Sequence, residues 1–256
     1  MEIAPRARTR EERLETVRRI FERVMQLHGE DVLAAGLYGS LARSNDGPFS
    51  DVEIMVVLRS AGVRDNAEWC AGDWKAEVNF RGRDVALDRA SELDGEWSVS
   101  HGKFIDMQPL YDPKNFLSQL RERVFAHADG EIREAMREVI IGDMCELVGK
   151  WRNQQAASQF DYVPAIAFKL AEQCAWVIGL ANRHLYATGA TLRAESLALL
   201  DRPAGYDALC NAVMRGELSD AQHVIALCEA CWAGTAAWAE AKGIALVTDP
   251  LNLMTA

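Results

Sequence analysis

Residues 36–58, GLYGSLARSNDGPFSDVEIMVVL, constrain the chain more than any other stretch. They read as the end of a strand, a glycine-serine turn, a short helix, an Asp-Gly-Pro turn and a second strand. The second strand opens with Asp51 and Glu53. Side chains alternate along a strand, so these carboxylates project to one face while Val52, Ile54, Val56 and Leu58 bury the other. Two neighbouring carboxylates repel and are costly to desolvate, and such a pair commonly holds a cation. Oxygen donors of this kind suit magnesium bound together with substrate phosphates.

The upstream half of the stretch fits a phosphate. Gly39 and Ser40 stand where the strand passes into a helix, and free backbone N–H groups there favour an anion. Arg43, one turn further on, is in reach for a charge-assisted contact. Together these residues predict a nucleoside triphosphate site with its metal.

The 256 residues allow one large domain or two modest ones. Hydrophobic residues at 49% and charged residues at 26% describe an ordinary globular chain. A formal net charge of -10 disfavours nucleic acid as a partner and suits a polycation. The sequence reads as having no apolar run of the roughly 20 residues that span a bilayer, so no membrane partner is expected. The charged N-terminus is unlike a secretory signal, which makes the cytosol (a cytoplasmic location) the expected compartment. Six cysteines in a chain this long are no disulfide scaffold, and the single CxxC, Cys228 and Cys231, reads as buried small hydrophobes.

Thr9 with Glu12 forms a capping-box pattern that opens an amphipathic helix. Its Leu14, Val17, Phe21, Val24 and Met25 should face a sheet, and its arginines and glutamates read as a solvated outer face. A strand over 32–38 follows. Residues 59–72 read as a polar loop. Trp74 to Phe80 alternate strictly, which predicts a half-buried strand. If that strand lies beside the Asp51 strand, Glu77 joins Asp51 and Glu53; otherwise Glu77 is a solvated edge residue paired with Lys75. A helix is expected over 84–92, then loop with short extended pieces over 95–112, where His101 is either a substrate contact or structural. Asp112-Pro113 marks a boundary. The expected fold is α+β: a mixed sheet flanked by helices over 1–115 and a helical bundle over 116–256.

In the helix starting near Asp129, Ile132, Met136 and Val139 form an apolar stripe at about 100° per residue, and Asp143, Glu146 and Lys150 continue nearly the same line. Two readings stay open: an ionisable cleft at the end of an inward face, or an i,i+4 ion pair worth a few tenths of a kcal/mol. Helices are expected again over 163–186, 206–214 and 221–238. The last would open on a Ser219–Gln222 capping box, with Trp232 and Trp238 in the core.

Gly39-Ser40 with Asp51-x-Glu53 downstream resembles the signature of the DNA polymerase β-like nucleotidyltransferase superfamily. The fuller string YGSLARSNDGPFSDVE, with GDWKAEVNF, ELVGKWRN and residues 205–218, is similar to the aminoglycoside 4'-nucleotidyltransferases of the kanamycin nucleotidyltransferase type. The likeness runs from about Gly36 through Trp238. It implies an antibiotic-resistance enzyme moving a nucleoside monophosphate from ATP, or another nucleotide, to the 4'-hydroxyl of aminoglycosides such as kanamycin and tobramycin, with pyrophosphate leaving. It implies Mg2+ on Asp51 and Glu53, nucleotide contacts from Gly39, Ser40, Arg43 and Lys150, acceptor contacts from Asp143 and Glu146, and for Glu77 either an acceptor contact or a place as a third carboxylate at the metal. Glu146 maps onto the general base, with a pKa raised by neighbouring acids, beside Asp51 and Glu53 as catalytic residues. A homodimer with shared active sites is also implied. Gly142 stands where the family pattern carries an additional acid, which bears on how the acceptor's amino groups are matched. Two other readings remain: a nucleotidyltransferase acting on protein or RNA, and a non-catalytic, antitoxin-like nucleotide-binding module.

Overall fold

The computed structural model of the chain describes residues 4–247. In chain order the elements are α1 (Arg10–His28), β1 (Val32–Tyr38), α2 (Gly39–Arg43), β2 (Val52–Leu58), β3 (Arg64–Cys70), β4 (Lys75–Gly82), α3 (Arg83–Ala90), α4 (Trp97–Ser100), α5 (Gly102–Ile105), β5 (Gln108–Tyr111) and α6 (Phe116–Val124). They continue with α7 (Asp129–Glu138), a π-helical turn (Val139–Met144), α8 (Cys145–Ala157), α9 (Val163–Ala181), α10 (Leu192–Ala198), α11 (Tyr206–Arg215) and α12 (Ala221–Ala241). The chain is α+β and divides into two compact units, one of residues 4–92 and 101–126 and one of 93–100 and 127–247. The division therefore falls after residue 126 rather than after 115, because α6 packs on β1 and α3.

The first unit is built on a mixed sheet in the order β3-β4-β2-β1-β5. β2 runs parallel to β4 and antiparallel to β1, while β3 and β5 pair antiparallel at the two edges. One face is apolar: Val52, Ile54, Val56 and Leu58 of β2 join Ala76 and Val78 of β4, with Val17 and Val24 of α1 packed over them. α1 opens on the expected capping box, in which the Thr9 hydroxyl accepts from the Glu12 amide and Glu12 accepts from the Thr9 amide. Its arginines are not all solvated: Arg13 is 3% exposed and, with Arg10, is paired to Asp46 of the loop between α2 and β2. The segment read as a polar loop contains β3, an edge strand exposed along most of its length. Alternation is confined to its last five residues, where Ala67 and Trp69 are half-buried between exposed Asn66, Glu68 and Cys70, a run too short to mark the strand in the sequence.

In the second unit α9 is the central helix, packed by α7, α8, α10, α11 and α12. It is apolar and long enough to cross a membrane by length and composition, contrary to the sequence expectation, but 61% of that stretch is buried within the protein. α4 reaches it too: a Cβ on Gly179 would lie 2.5 Å from the Ser98 side chain, so only glycine permits the approach. The π-helical turn changes what the 100° periodicity predicted. Beyond it the buried stripe runs through Met144, Leu147, Val148 and Trp151, while Asp143 and Glu146 are exposed. A wider i→i+5 turn resets which residues face inward. The cap of α12 is Asp220, accepting from the His223 amide, rather than Ser219. Trp232 and Trp238 are half-buried, and Trp238 donates to Asp201.

Candidate functional site

Pairing of the strands gathers the acids. In the parallel β2–β4 ladder Glu53 stands opposite Glu77, and in the β1–β2 ladder Tyr38 stands opposite Glu53. Asp51 lies just before β2, with its carboxylate 3.9 Å from Lys75 Nζ; Lys75 pairs more closely with Glu68, at 2.5 Å. Lys75 thus serves Asp51 and Glu68 rather than Glu77. Burial first, and then the charges of Asp51 and Glu77, push the Glu53 carboxyl up to about 7, with Arg43 and Lys75 offsetting only part of this.

Gly39 explains how backbone comes so near this carboxylate. Its φ is +76°, and a Cβ there would collide with Glu53 Oε2. Only glycine allows both. Ser40 follows, half-buried, and α2 ends at Ser44 in the left-handed conformation. Arg43 pairs with Asp106 at 3.3 Å, yet its Nε is buried without a hydrogen-bond partner. A buried donor left unmade costs about 1–3 kcal/mol, so an anion brought to Arg43 would remove a standing penalty.

A chain of hydrogen bonds stiffens the acids from behind. Asn79 Nδ2 donates to Tyr38 Oη and to Glu77 Oε1, each at 2.6 Å, and Arg81 donates to Asn79 Oδ1 at 2.9 Å. Burial, reinforced by the charges of Glu77 and Glu53, raises the Tyr38 hydroxyl well above its usual range, so it remains neutral.

The donor set suits magnesium. It consists of carboxylate oxygens, and a cation beside Glu53 would relieve the repulsion that raises its pKa. Among the described residues no group of three or more His, Cys, Asp and Glu side chains is arranged to hold a metal ion. The protein's share would be the Asp51–Glu53 pair, leaving other coordination positions to phosphate oxygens and water, as is common for magnesium.

In the helical unit Glu146 and Lys150 pair at 2.6 Å on an exposed face of α8. The hydrogen bond from Lys150, then its charge, hold the Glu146 carboxyl below its ordinary value. The expectation of a pKa raised by neighbouring acids is thereby corrected. Asp143 lies exposed in the π-helical turn, a feature common at functional sites. Gly142 precedes it with open space where a Cβ would stand. His101 is fully buried with Nε2 2.9 Å from the Arg89 carbonyl, so its role is structural. Cys228 and Cys231 are buried free thiols.

Residues 114–245 match the family described as the KNTase C-terminal domain. Over 235 residues the chain is 37% identical to a Bacillus protein named aminoglycoside nucleotidyltransferase (4'), covering 92% of this chain and 93% of that relative. A Staphylococcus aureus protein of the same name matches with the same identity and coverage. The chain belongs to the aminoglycoside 4'-nucleotidyltransferase family. Its fold is also that of a nucleotidyltransferase-like protein from Exiguobacterium sibiricum, whose crystal structure matches with a TM-score of 0.54 at 9% identity, over 87% of this chain and 75% of that one. For this aminoglycoside 4'-nucleotidyltransferase-family chain, sequence reasoning missed Tyr38 and Asn79. Strict alternation already set Asn79 on the Glu77 face, and Tyr38 directly precedes the Gly-Ser turn, so both signals were present.

Proposed function

We propose that this chain transfers a nucleoside monophosphate from ATP, or another nucleoside triphosphate, to the 4'-hydroxyl of aminoglycosides such as kanamycin and tobramycin, releasing pyrophosphate. The observation that carries this reading is Glu53, crowded by Asp51 and Glu77 and packed against the Gly39 turn. The 37% identity to proteins named aminoglycoside nucleotidyltransferase (4') supports the acceptor and the position.

Asp51 and Glu53 would hold magnesium. Held there, it would supply positive charge against that of the triphosphate and Lewis-acid polarisation of the α-phosphate. The Gly39–Ser40 amides and the Ser40 hydroxyl, with Arg43 and Lys150, steady the phosphates. Glu77 and Asp143 attract the ammonium groups of the acceptor. Glu146, kept ionised by Lys150, takes the proton from the attacking hydroxyl; with its basicity lowered, its contribution rests on orientation. We also infer a homodimer, from the resemblance.

Mass spectrometry of kanamycin and a 4'-deoxy analogue, each incubated with the protein, ATP and magnesium, tests the reading. One added adenylyl group on kanamycin and none on the deoxy compound is the expected result. Equal modification of both would rule out the 4' position. Asp51→Asn should fold normally by circular dichroism yet lose magnesium-dependent transfer, and full activity in that variant would overturn the metal assignment.

A further inference from the structure

The sheet of the first unit has a second concavity, on the face opposite the acids. Along β4, Glu77 and Asn79 point to the carboxylate side, whereas Ala76, Val78 and Phe80 belong to the apolar side beneath α1. There α1 and the β3–β4 edge leave a cleft of about 530 Å3. Trp69, Trp74 and Phe80 form its walls, all only half-buried, and Leu27 at its edge is 59% exposed. A volume of this size accommodates a small organic molecule.

The charge of the lining inverts that of the chain. Among the described residues Arg8, Arg19 and Arg23 line the cleft and no carboxylate does, although the whole sequence carries a net -10. The Arg8 guanidinium carbon lies 5.4 Å from the centre of the Trp74 ring, and Arg8 Nη1 is buried without a hydrogen-bond partner. A flat apolar wall offers stacking area, and an arginine with an unmade donor offers a partner for an anionic group. An aminoglycoside, being cationic, is repelled by such a lining.

We propose that the cleft between α1 and the β3–β4 edge is a binding site for a small organic anion with a flat apolar body, such as an aromatic carboxylate. The apolar body stacks between Trp69, Trp74 and Phe80, and the anionic group meets Arg8 and the α1 arginines. This site is separate from the carboxylate face, and the proposal stands independently of nucleotidyl transfer.

Calorimetric titration of the full chain with 2-naphthoate, and with uncharged 2-naphthylmethanol, tests it. The expected result is saturable one-to-one binding of 2-naphthoate, about tenfold weaker for the neutral compound and for an Arg19→Glu/Arg23→Glu variant, because the charge contact is lost. Trp69→Ala should weaken both ligands alike, and ATP with magnesium should displace neither. Several results would overturn the proposal: no saturable binding by the native chain, equal affinity after charge reversal, or displacement by the nucleotide. Sedimentation in which the charge-reversed variant loses self-association would also overturn it, because the cleft would then be a contact between copies.

Discussion

Glu53 destabilises the fold that holds it. Its pKa near 7, against 4.5 for an ordinary glutamate, means that the ionised form is penalised in the folded chain at alkaline pH. At pH 8 without divalent cations, Glu53→Gln should therefore stabilise the protein by about 2 kcal/mol, after allowance for partial exposure. Magnesium should raise the melting temperature of the native chain and leave that of Glu53→Gln nearly unmoved. An equal magnesium shift in both proteins would show that the ion binds elsewhere. Such a gain in stability at the expense of activity is the usual pattern at a charged functional site. Gly142 gives the complementary test, because its position is exposed and a side-chain carbon added there would meet nothing within 4 Å. Gly142→Glu should change stability by no more than about 0.5 kcal/mol. In transfer assays it should lower the KM for kanamycin several-fold with kcat unchanged, and an unaltered KM would exclude this position from acceptor matching.

At the scale of elements, the loop that delivers Asp51 is tied down by α1. The Asp46 side chain is 3% exposed and is paired with both Arg10 and Arg13, so removing it takes the carboxylate partner from two guanidinium groups, one of them buried. Asp46→Ala should cost about 3 kcal/mol. Burial alone would raise the Asp46 carboxyl, but the Arg13 hydrogen bond, its own backbone amide and the two arginine charges outweigh that and hold it below 3.8. A carboxyl depressed in the folded state adds stability above its unfolded value and loses it as pH falls through the folded one. Urea unfolding should show the gap between native and Asp46→Ala constant from pH 7 to about 5 and narrowing below 3.8. A gap that widens on acidification would contradict the assignment. None of this was legible in the sequence, where Asp46-Gly47-Pro48 reads as a turn and Arg13 as one more solvated charge. What was legible rested on period and local chemistry: the Thr9–Glu12 cap, the alternation of β2 and β4, and the Gly39 turn. What was hidden lacked either. β3 is exposed along most of its length and alternates only over its last five residues, and one π-helical turn moved Asp143 and Glu146 off the inward stripe while leaving the residues themselves unchanged.

Over the whole molecule the property that matters for an acceptor is net charge. With 38 acidic against 28 basic side chains, the protein presents a negative field to a polycationic antibiotic and to a polyanionic nucleotide alike. The two substrates should therefore respond oppositely to salt. Screening is weak at about 0.01 M ionic strength, where the Debye length is about 30 Å, and strong above 0.1 M, where it is about 10 Å. Raising ionic strength across that range at fixed magnesium should increase the KM for kanamycin several-fold, because long-range attraction is lost. The KM for magnesium-bound ATP should stay constant or fall, because repulsion is screened while the contacts proposed for Arg43 and its neighbours would act at short range. An acceptor with fewer amino groups should show a proportionally smaller salt response. If kanamycin's KM proved independent of salt, the net charge would have no part in capture, and acceptor recognition would rest on short-range contacts such as Glu77 alone.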